Sequence, residues 1–507
     1  MKLGGKYAMG IREEVREKDG LTFPGATFAA AVLEPVFNTQ RDYYYHAFLE
    51  ISLAHAVMLC EQNIITPEEA KGIIRGLNAV SQRDFSHAIY DPRYEDMFFM
   101  LEKALSEEIG ADLAGRLHIA RSRNDVGICQ FRMALRLKVL DCMEAVERFM
   151  ETLLGLCQEH ADTLMPAYTH TQPAQPTTLG HYLLAFYDGL ERSMRRLSSA
   201  YHCVNLSPIG AAAITTTGFP ISREAMCGLL GFDGLVENSY DAIAGVDYLT
   251  ETASALMALG VDLSRLLKDT LDFCTREYGY YRLADPYVQI SSIMPQKRNP
   301  SSLEHARPIA SALISNAQAA ITLLHNTPFG DMVDSEEQLQ PYLYSAIACA
   351  IKVLSLLTSN FATMTIQKDL MRRRSGEGFI TATELADTLV REKGLSFRES
   401  HRITSTIVKT LHAKGMTQED LHADMLQELL KGAAAVDEAL IKRALDPAHF
   451  IKIRGVTGGP APEELSRMLS SRQERFSAAR QDLKALRHDL SQAKNLLGEK
   501  VKPYLEA

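Results

Sequence analysis

Ile128, Phe131, Leu135, Val139, Cys142, Val146, Phe149, Leu153 and Cys157 recur at spacings of three and four, so the segment before Pro166 has one apolar face. That period predicts a helix of about 45 Å or more, at ~1.5 Å per residue. Leu179, Leu183, Phe186, Leu190, Met194, Leu197 and Tyr201 predict a second long helix. Further helical runs cover about 241–278, 302–325 and 336–360. Helices of this length imply an extended bundle. Thr66-Pro67-Glu68-Glu69 reads as a helix start, with a capping hydroxyl, proline in the first turn and acids at the positive end of the dipole. Alternating apolar positions are rare and Val/Ile/Thr clusters are short, so the chain reads as all-α, mainly helical.

Polar segments interrupt this pattern at 118–125, 168–176 and 285–300. Prolines stop the flanking helices at the second and third. Residues 207–222, rich in Gly, Ala and Thr, read as a loop with close backbone approaches. Composition shifts near 116 and at Met371-Arg372-Arg373-Arg374 divide the chain into three helical domains, 1–116, 117–370 and 371–507. From Glu463 onward, charged residues and intermittent leucines predict a terminal amphipathic helix.

The 507 residues, 46% hydrophobic and 23% charged, suit a soluble globular chain. A net charge of −9 without a basic run argues against a nucleic-acid partner. No uncharged apolar stretch reaches the ~18–20 residues of a membrane helix, and Met1–Lys6 lacks a signal-peptide core. Eight scattered cysteines without a Cys-x-x-Cys pair suit a reducing cytoplasm, not a disulfide frame or zinc site.

The three polar segments hold the candidate chemistry. Arg121, Arg123 and Lys297 supply charge for carboxylates; Asn124, Gln172 and Asn299 can orient them; Ser122, Thr169, Ser291 and Ser292 add hydroxyls. His170 supplies an imidazole that Glu304 could orient. The same residues also read as surface ion pairs, a turn at Thr169-His170, and an ordinary connection at 285–300. No segment holds a metal-binding His/Asp/Glu cluster or a phosphate-binding glycine loop. A cofactor-free reaction on a small dicarboxylate fits this set best. Proton abstraction beside a carboxylate makes a dianion that lysine and amide donors would stabilise.

Ser291-Ser292-Ile293-Met294-Pro295-Gln296-Lys297-Arg298-Asn299-Pro300 resembles the signature loop of the fumarase/aspartase superfamily. Arg121-Ser122-Arg123-Asn124-Asp125, Tyr168-Thr169-His170 with Gln172, and Ala382-Thr383-Glu384-Leu385-Ala386-Asp387 resemble its argininosuccinate lyase branch. The resemblance implies three helical domains, a twenty-helix core in a homotetramer, and active sites each built from three subunits. It implies anti elimination of fumarate from an N- or O-substituted succinate. By position, Ser291 would be the base, and His170 the partner acid or its support, with Glu304 as its carboxylate. Lys297 and Asn299 would hold the dianion, while Ser122, Arg123, Asn124 and Thr169 would bind the substrate's polar groups.

Departures concern the leaving group. The family's Glu-Asp-x-His has Phe98 after Glu95-Asp96, and Gln289-Ile290 replaces the glycine before the double serine. In the stretch that grips the arginine part, Phe329 stands for a tyrosine, Asp334 for a glutamine and Glu337 for a lysine. Argininosuccinate is therefore one expected substrate and another N-substituted aspartate, such as ethylenediamine disuccinate, a second. A non-catalytic relative, like some lens crystallins, is disfavoured by the presence of Ser291, His170, Lys297 and Asn299.

Overall fold

A computed structural model describes residues 4–431 and 434–506. Helices α1 (Tyr45–Glu61), α2 (Pro67–Ser81) and α3 (Met97–Ile109) build an N-terminal core. The helix start at Thr66 forms as a full capping box. Its hydroxyl accepts from Glu69 N–H at 3.2 Å, and Glu69 Oε2 accepts from Thr66 N–H at 2.7 Å.

The central region holds α4 (Arg123–Glu159), a ribbon of β1 (Leu164–Thr169) and β2 (Gln172–Thr178), α5 (Leu179–Val204) and α6 (Asp247–Phe273). It continues through the short strands β3 (Gln289–Ile290) and β4 (Arg298–Asn299) to α7 (Ser301–Leu324) and α8 (Gln340–Thr363). The apolar stripe that predicts α4 is buried throughout, from Ile128 to Cys157. The α5 stripe is buried except for Phe186, which is half-buried. Packing closes a ring: α4 on α5, α5 on α6, α6 on α7, α7 on α8, and α8 back on α4. Gly260 permits the α6–α7 approach, because a Cβ there would sit 2.7 Å from Ile314 Cγ1. The segment Val333–Thr363 is long and apolar enough to cross a membrane by composition. Lys352 interrupts it, and Leu343, Ile347, Leu354 and Leu357 point into the bundle core.

A third core, with α9 (Ala382–Lys393) and α10 (Phe397–Ala413), runs from Leu385 to Leu445. The terminal helix α11 (Pro462–Glu506) forms, but it does not join that core. Leu465, Met468, Phe476 and Leu483 pack into the bundle, and Leu497 and Val501 into the N-terminal core. Ion pairs run along it: Arg472–Asp188 at 3.0 Å, Arg475–Glu191 at 2.6 Å, Arg480–Glu151 at 2.6 Å, Arg487–Glu144 at 2.7 Å and Lys500–Glu61 at 2.7 Å. The apolar anchors hold the helix more firmly than these half-exposed pairs, each of which contributes ~1 kcal/mol or less.

Candidate active site

The 168–176 segment is not a loop but the end of β1, the turn and most of β2 in the ribbon. Thr169 pairs with Gln172, leaving His170 and Thr171 as a two-residue turn with φ of +52° and +63°. Both residues in the left-handed region is the geometry of a type I′ hairpin turn, whose twist matches the strands. It holds the exposed His170 at the tip, in a backbone state that carries strain for a residue with a Cβ. The ribbon is held from behind: Tyr168 and Tyr280 share a 2.6 Å hydroxyl bond, and the Tyr168 ring lies 6.3 Å from Phe273 at the end of α6. Gln175 Nε2 donates to Thr383 Oγ1 at 3.3 Å, joining the ribbon to α9.

The same end of the bundle carries the Ser291 loop. β3 pairs antiparallel with β4, so residues 291–297 form the arc of a small hairpin. Arg298 fixes its base by pairing with Asp285 at 2.7 Å and donating to Leu283 O at 3.0 Å. Ser291 Oγ accepts from Met294 N–H at 3.1 Å and Ile293 N–H at 3.4 Å. Such donors favour an oxygen that carries negative charge. Ser292 and Lys297 are exposed, Asn299 is half-buried, and Glu304 lies exposed on the first turn of α7. Ile290 and Ile293 are 74% and 81% exposed, an unusual price for two isoleucines on one arc unless another surface covers them.

Ser122, Arg123 and Asn124 lie at the opposite end of α4. Ser122 caps the helix, accepting from Asn124 N–H at 3.3 Å, while Asp125 Oδ1 accepts from Ser122 N–H at 2.9 Å. Asp125 Oδ2 accepts from Gly210 and Ala212 N–H at 2.9 and 3.1 Å, which ties the glycine-rich loop to this turn. Gly210 (φ +84°) fits there because a Cβ would meet Arg223 Cγ at 2.8 Å. Burial pushes the Asp125 carboxyl up to about 6, against the pull of those three amides. Arg121, read from sequence as a carboxylate-binding charge, is buried instead, donating to Ser52 Oγ at 3.1 Å between the rings of Phe48 and Phe98. Arg123 lies 3.0 Å from Glu95 and 3.3 Å from Asp96, with its guanidinium over the Phe99 ring.

Arg123 and Asn124 open on a cavity of about 430 Å³. Tyr44, Phe48 and Phe98 supply aromatic wall, and Glu95, Asp96, Glu336 and Glu337 supply carboxylates. Burial, then repulsion from Glu337 and Asp331, pushes the Glu336 carboxyl up to about 7. Burial also raises Glu337, although Gln40 Nε2 donates to it at 2.8 Å, and raises Asp96 and Asp331.

Within one chain, then, the candidate residues form two groups. Thr169, His170, Gln172, Ser291, Ser292, Lys297, Asn299 and Glu304 share one end of the bundle, and Ser122, Arg123 and Asn124 the other. The 37 residues of α4 separate the ends by about 55 Å. The His170 ring and the Glu304 carboxylate make no hydrogen bond to each other in the chain. The sequence reading names no site residue before 117, so it misses Gln40 and the aromatic wall. The departures at 95–98 and 329–337 were the signal for that cavity.

A family model described as lyase matches residues 37–314. The ring of long helices and this match define a helical lyase. A second model, the argininosuccinate lyase C-terminal region, matches residues 379–452. Argininosuccinate lyase 2 of Agrobacterium fabrum is 40% identical over 486 residues, 95% of each chain. Argininosuccinate lyase of Methanocaldococcus jannaschii is 37% identical over 454 residues, 89% of this chain and 93% of that one. The structure of EDDS lyase in complex with formate superposes with a TM-score of 0.84 at 33% identity, covering 97% of this chain and 98% of that one. The chain belongs to the argininosuccinate lyase family.

Proposed function

We propose that the chain eliminates fumarate from an N-substituted aspartate, argininosuccinate giving arginine and fumarate, at sites shared among the subunits of a homotetramer. The observation that carries this is the pairing of a 40% identical argininosuccinate lyase relative over 95% of the chain with a Ser291 loop whose hydroxyl already accepts two backbone N–H bonds. Ser291 takes a proton from the carbon beside one carboxylate. The C–H electrons form the double bond, the C–N electrons leave with nitrogen, and nitrogen takes a proton from the His170 side, with Glu304 orienting that imidazole. Lys297 and Asn299 hold the dianion that forms in between. Ser122, Arg123 and Asn124, at the positive end of a long helix, bind substrate carboxylate with help from Thr169, Gln172 and Ser292. The step needs no cofactor.

Sharing across subunits is supported by the ~55 Å between the two groups and by the exposed isoleucines of the Ser291 loop. A five-helix ring repeated in four chains also matches the twenty-helix core of the family. Eight unpaired cysteines support a cytoplasmic location. A second reading, another N-substituted aspartate as substrate, is supported by the likeness to EDDS lyase, at a TM-score of 0.84 and 33% identity. Fumarate release, followed by its ultraviolet absorbance with argininosuccinate and a panel of N-substituted aspartates, tests the proposal. Release is expected from at least one of them; no release from any would reject the elimination.

A further inference from the structure

We infer that Glu384 is a positioning residue for the elimination: buried on α9, it joins two arms of the C-terminal region that hold strand β2, and so fixes the His170 tip of the ribbon. This rests on the role of His170 proposed above and adds what sets the place of its imidazole.

A two-stranded ribbon has little stability of its own, so the place of its tip is set by what packs on its strands. β1 has the Tyr168–Tyr280 bond and the helix Lys368–Arg374 behind it. β2 is held by two arms from the C-terminal region. In the first, Gln175 donates to Thr383, the residue before Glu384. In the second, the short helix Pro447–Lys452 packs along β2, and the loop after it supplies Gly458 O, 3.0 Å from His181 Nε2. A carbonyl only accepts, so Nε2 carries the proton and Nδ1 accepts from Thr177 Oγ1 of β2 at 2.9 Å.

Glu384 joins these arms. It is 1% exposed, and its Oε1 accepts from Thr388 Oγ1 at 3.0 Å and from Arg391. Its Oε2 lies 3.0 Å from Nη1 of Arg454, just past the helix Pro447–Lys452, and that nitrogen also donates to Phe450 O at 2.7 Å. Arg454 O then accepts from Ala461 N–H at 3.3 Å and closes the loop that presents Gly458 O. The closure needs glycine, because a Cβ on Gly459 would collide with Arg454 O. A buried ion pair adds little stability over an apolar core, but it admits one geometry. Loss of the Glu384 charge frees Arg454 and lets both arms shift on β2. The Ser291 loop is fixed by Asp285 and Leu283, and Arg123 by Glu95 and Asp96, so neither depends on Glu384.

The test is steady-state fumarate release by the assembled enzyme carrying Glu384→Gln, His170→Asn or both, from argininosuccinate or the fastest N-substituted aspartate of the panel. Glu384→Gln is expected to lower kcat about tenfold, the scale of a small displacement of the imidazole, with KM within about twofold of wild type. In the His170→Asn background the same change should cost less than about twofold, because Glu384 acts through that imidazole. A wild-type kcat in Glu384→Gln, or equal losses in the two backgrounds, overturns the inference. Thr383→Val guards against a Glu384→Gln chain that does not fold, since it removes one arm and leaves the buried pair. Its kcat is expected to fall about threefold, the scale of one hydrogen bond, and to return in Thr383→Ser. A wild-type rate in Thr383→Val, or a loss that Thr383→Ser does not restore, also overturns it. A near wild-type rate in His170→Asn alone would reject the role of His170 itself, a failure distinct from equal losses in both backgrounds.

Discussion

Ser291→Ala is expected to lower kcat for fumarate release by about a thousandfold, the scale of losing a positioned general base. The structure makes this substitution a clean one. Among the described residues, Ser291 Oγ bonds only to N–H groups of its own turn, while the loop is held by β3–β4 pairing and by Arg298 on Asp285. Loss of the hydroxyl leaves those supports in place, so thermal unfolding and assembly should match wild type. KM should change much less than kcat, since Lys297, Asn299 and the Arg123 end remain. A rate within a few-fold of wild type would remove Ser291 from the role of base and leave its loop as a binding element.

His170→Asn is expected to cost about a hundredfold in kcat, from loss of a proton donor or its support. Asparagine is the informative replacement because it tolerates the left-handed conformation that His170 holds at φ +52°. The hairpin turn should therefore persist, with Tyr168 still bonded to Tyr280 behind it. The readout that separates chemistry from folding is kcat set beside thermal unfolding: kcat should fall while the unfolding midpoint stays that of wild type. An unchanged kcat with lower thermal stability would instead make His170 a turn residue.

The helices that carry these residues were legible because their burial is one-sided and regular. From Ile128 to Cys157 every predicted core position of α4 is buried, and the predicted start at Thr66 forms with its capping box. The β1–β2 ribbon was not legible. Pro166, Pro173 and Pro176 make it look like a loop, and proline is tolerated only because a two-stranded ribbon is all edge. The placement of α11 was hidden for a different reason. Its leucines are too sparse to say which core they meet, and its ion pairs join residues hundreds of positions apart.

The candidate residues themselves were visible as polar breaks between helices, yet their meeting place was not. Sequence order says nothing about which end of a bundle a break occupies, and α4 carries Arg123 and His170 to opposite ends. The cavity was the least visible feature. Gln40, Glu95, Asp96, Glu336 and Glu337 come from three distant segments, and a buried carboxylate looks like a surface one until the fold encloses it. Only the departures at 95–98 and 329–337 hinted at it.

The central claim, a fumarate-releasing site that takes Ser291 from one chain and Asn124 from another, has a direct measurement. Ser291→Ala and Asn124→Ala chains are each expected to be nearly inactive alone. Unfolded together in equal amounts and refolded as mixed tetramers, they should regain about a quarter of wild-type fumarate release, the share of sites that draw both intact residues under random assembly. Recovery near that level supports a shared site. No recovery, from mixtures shown to contain both chains in one tetramer, would contradict it.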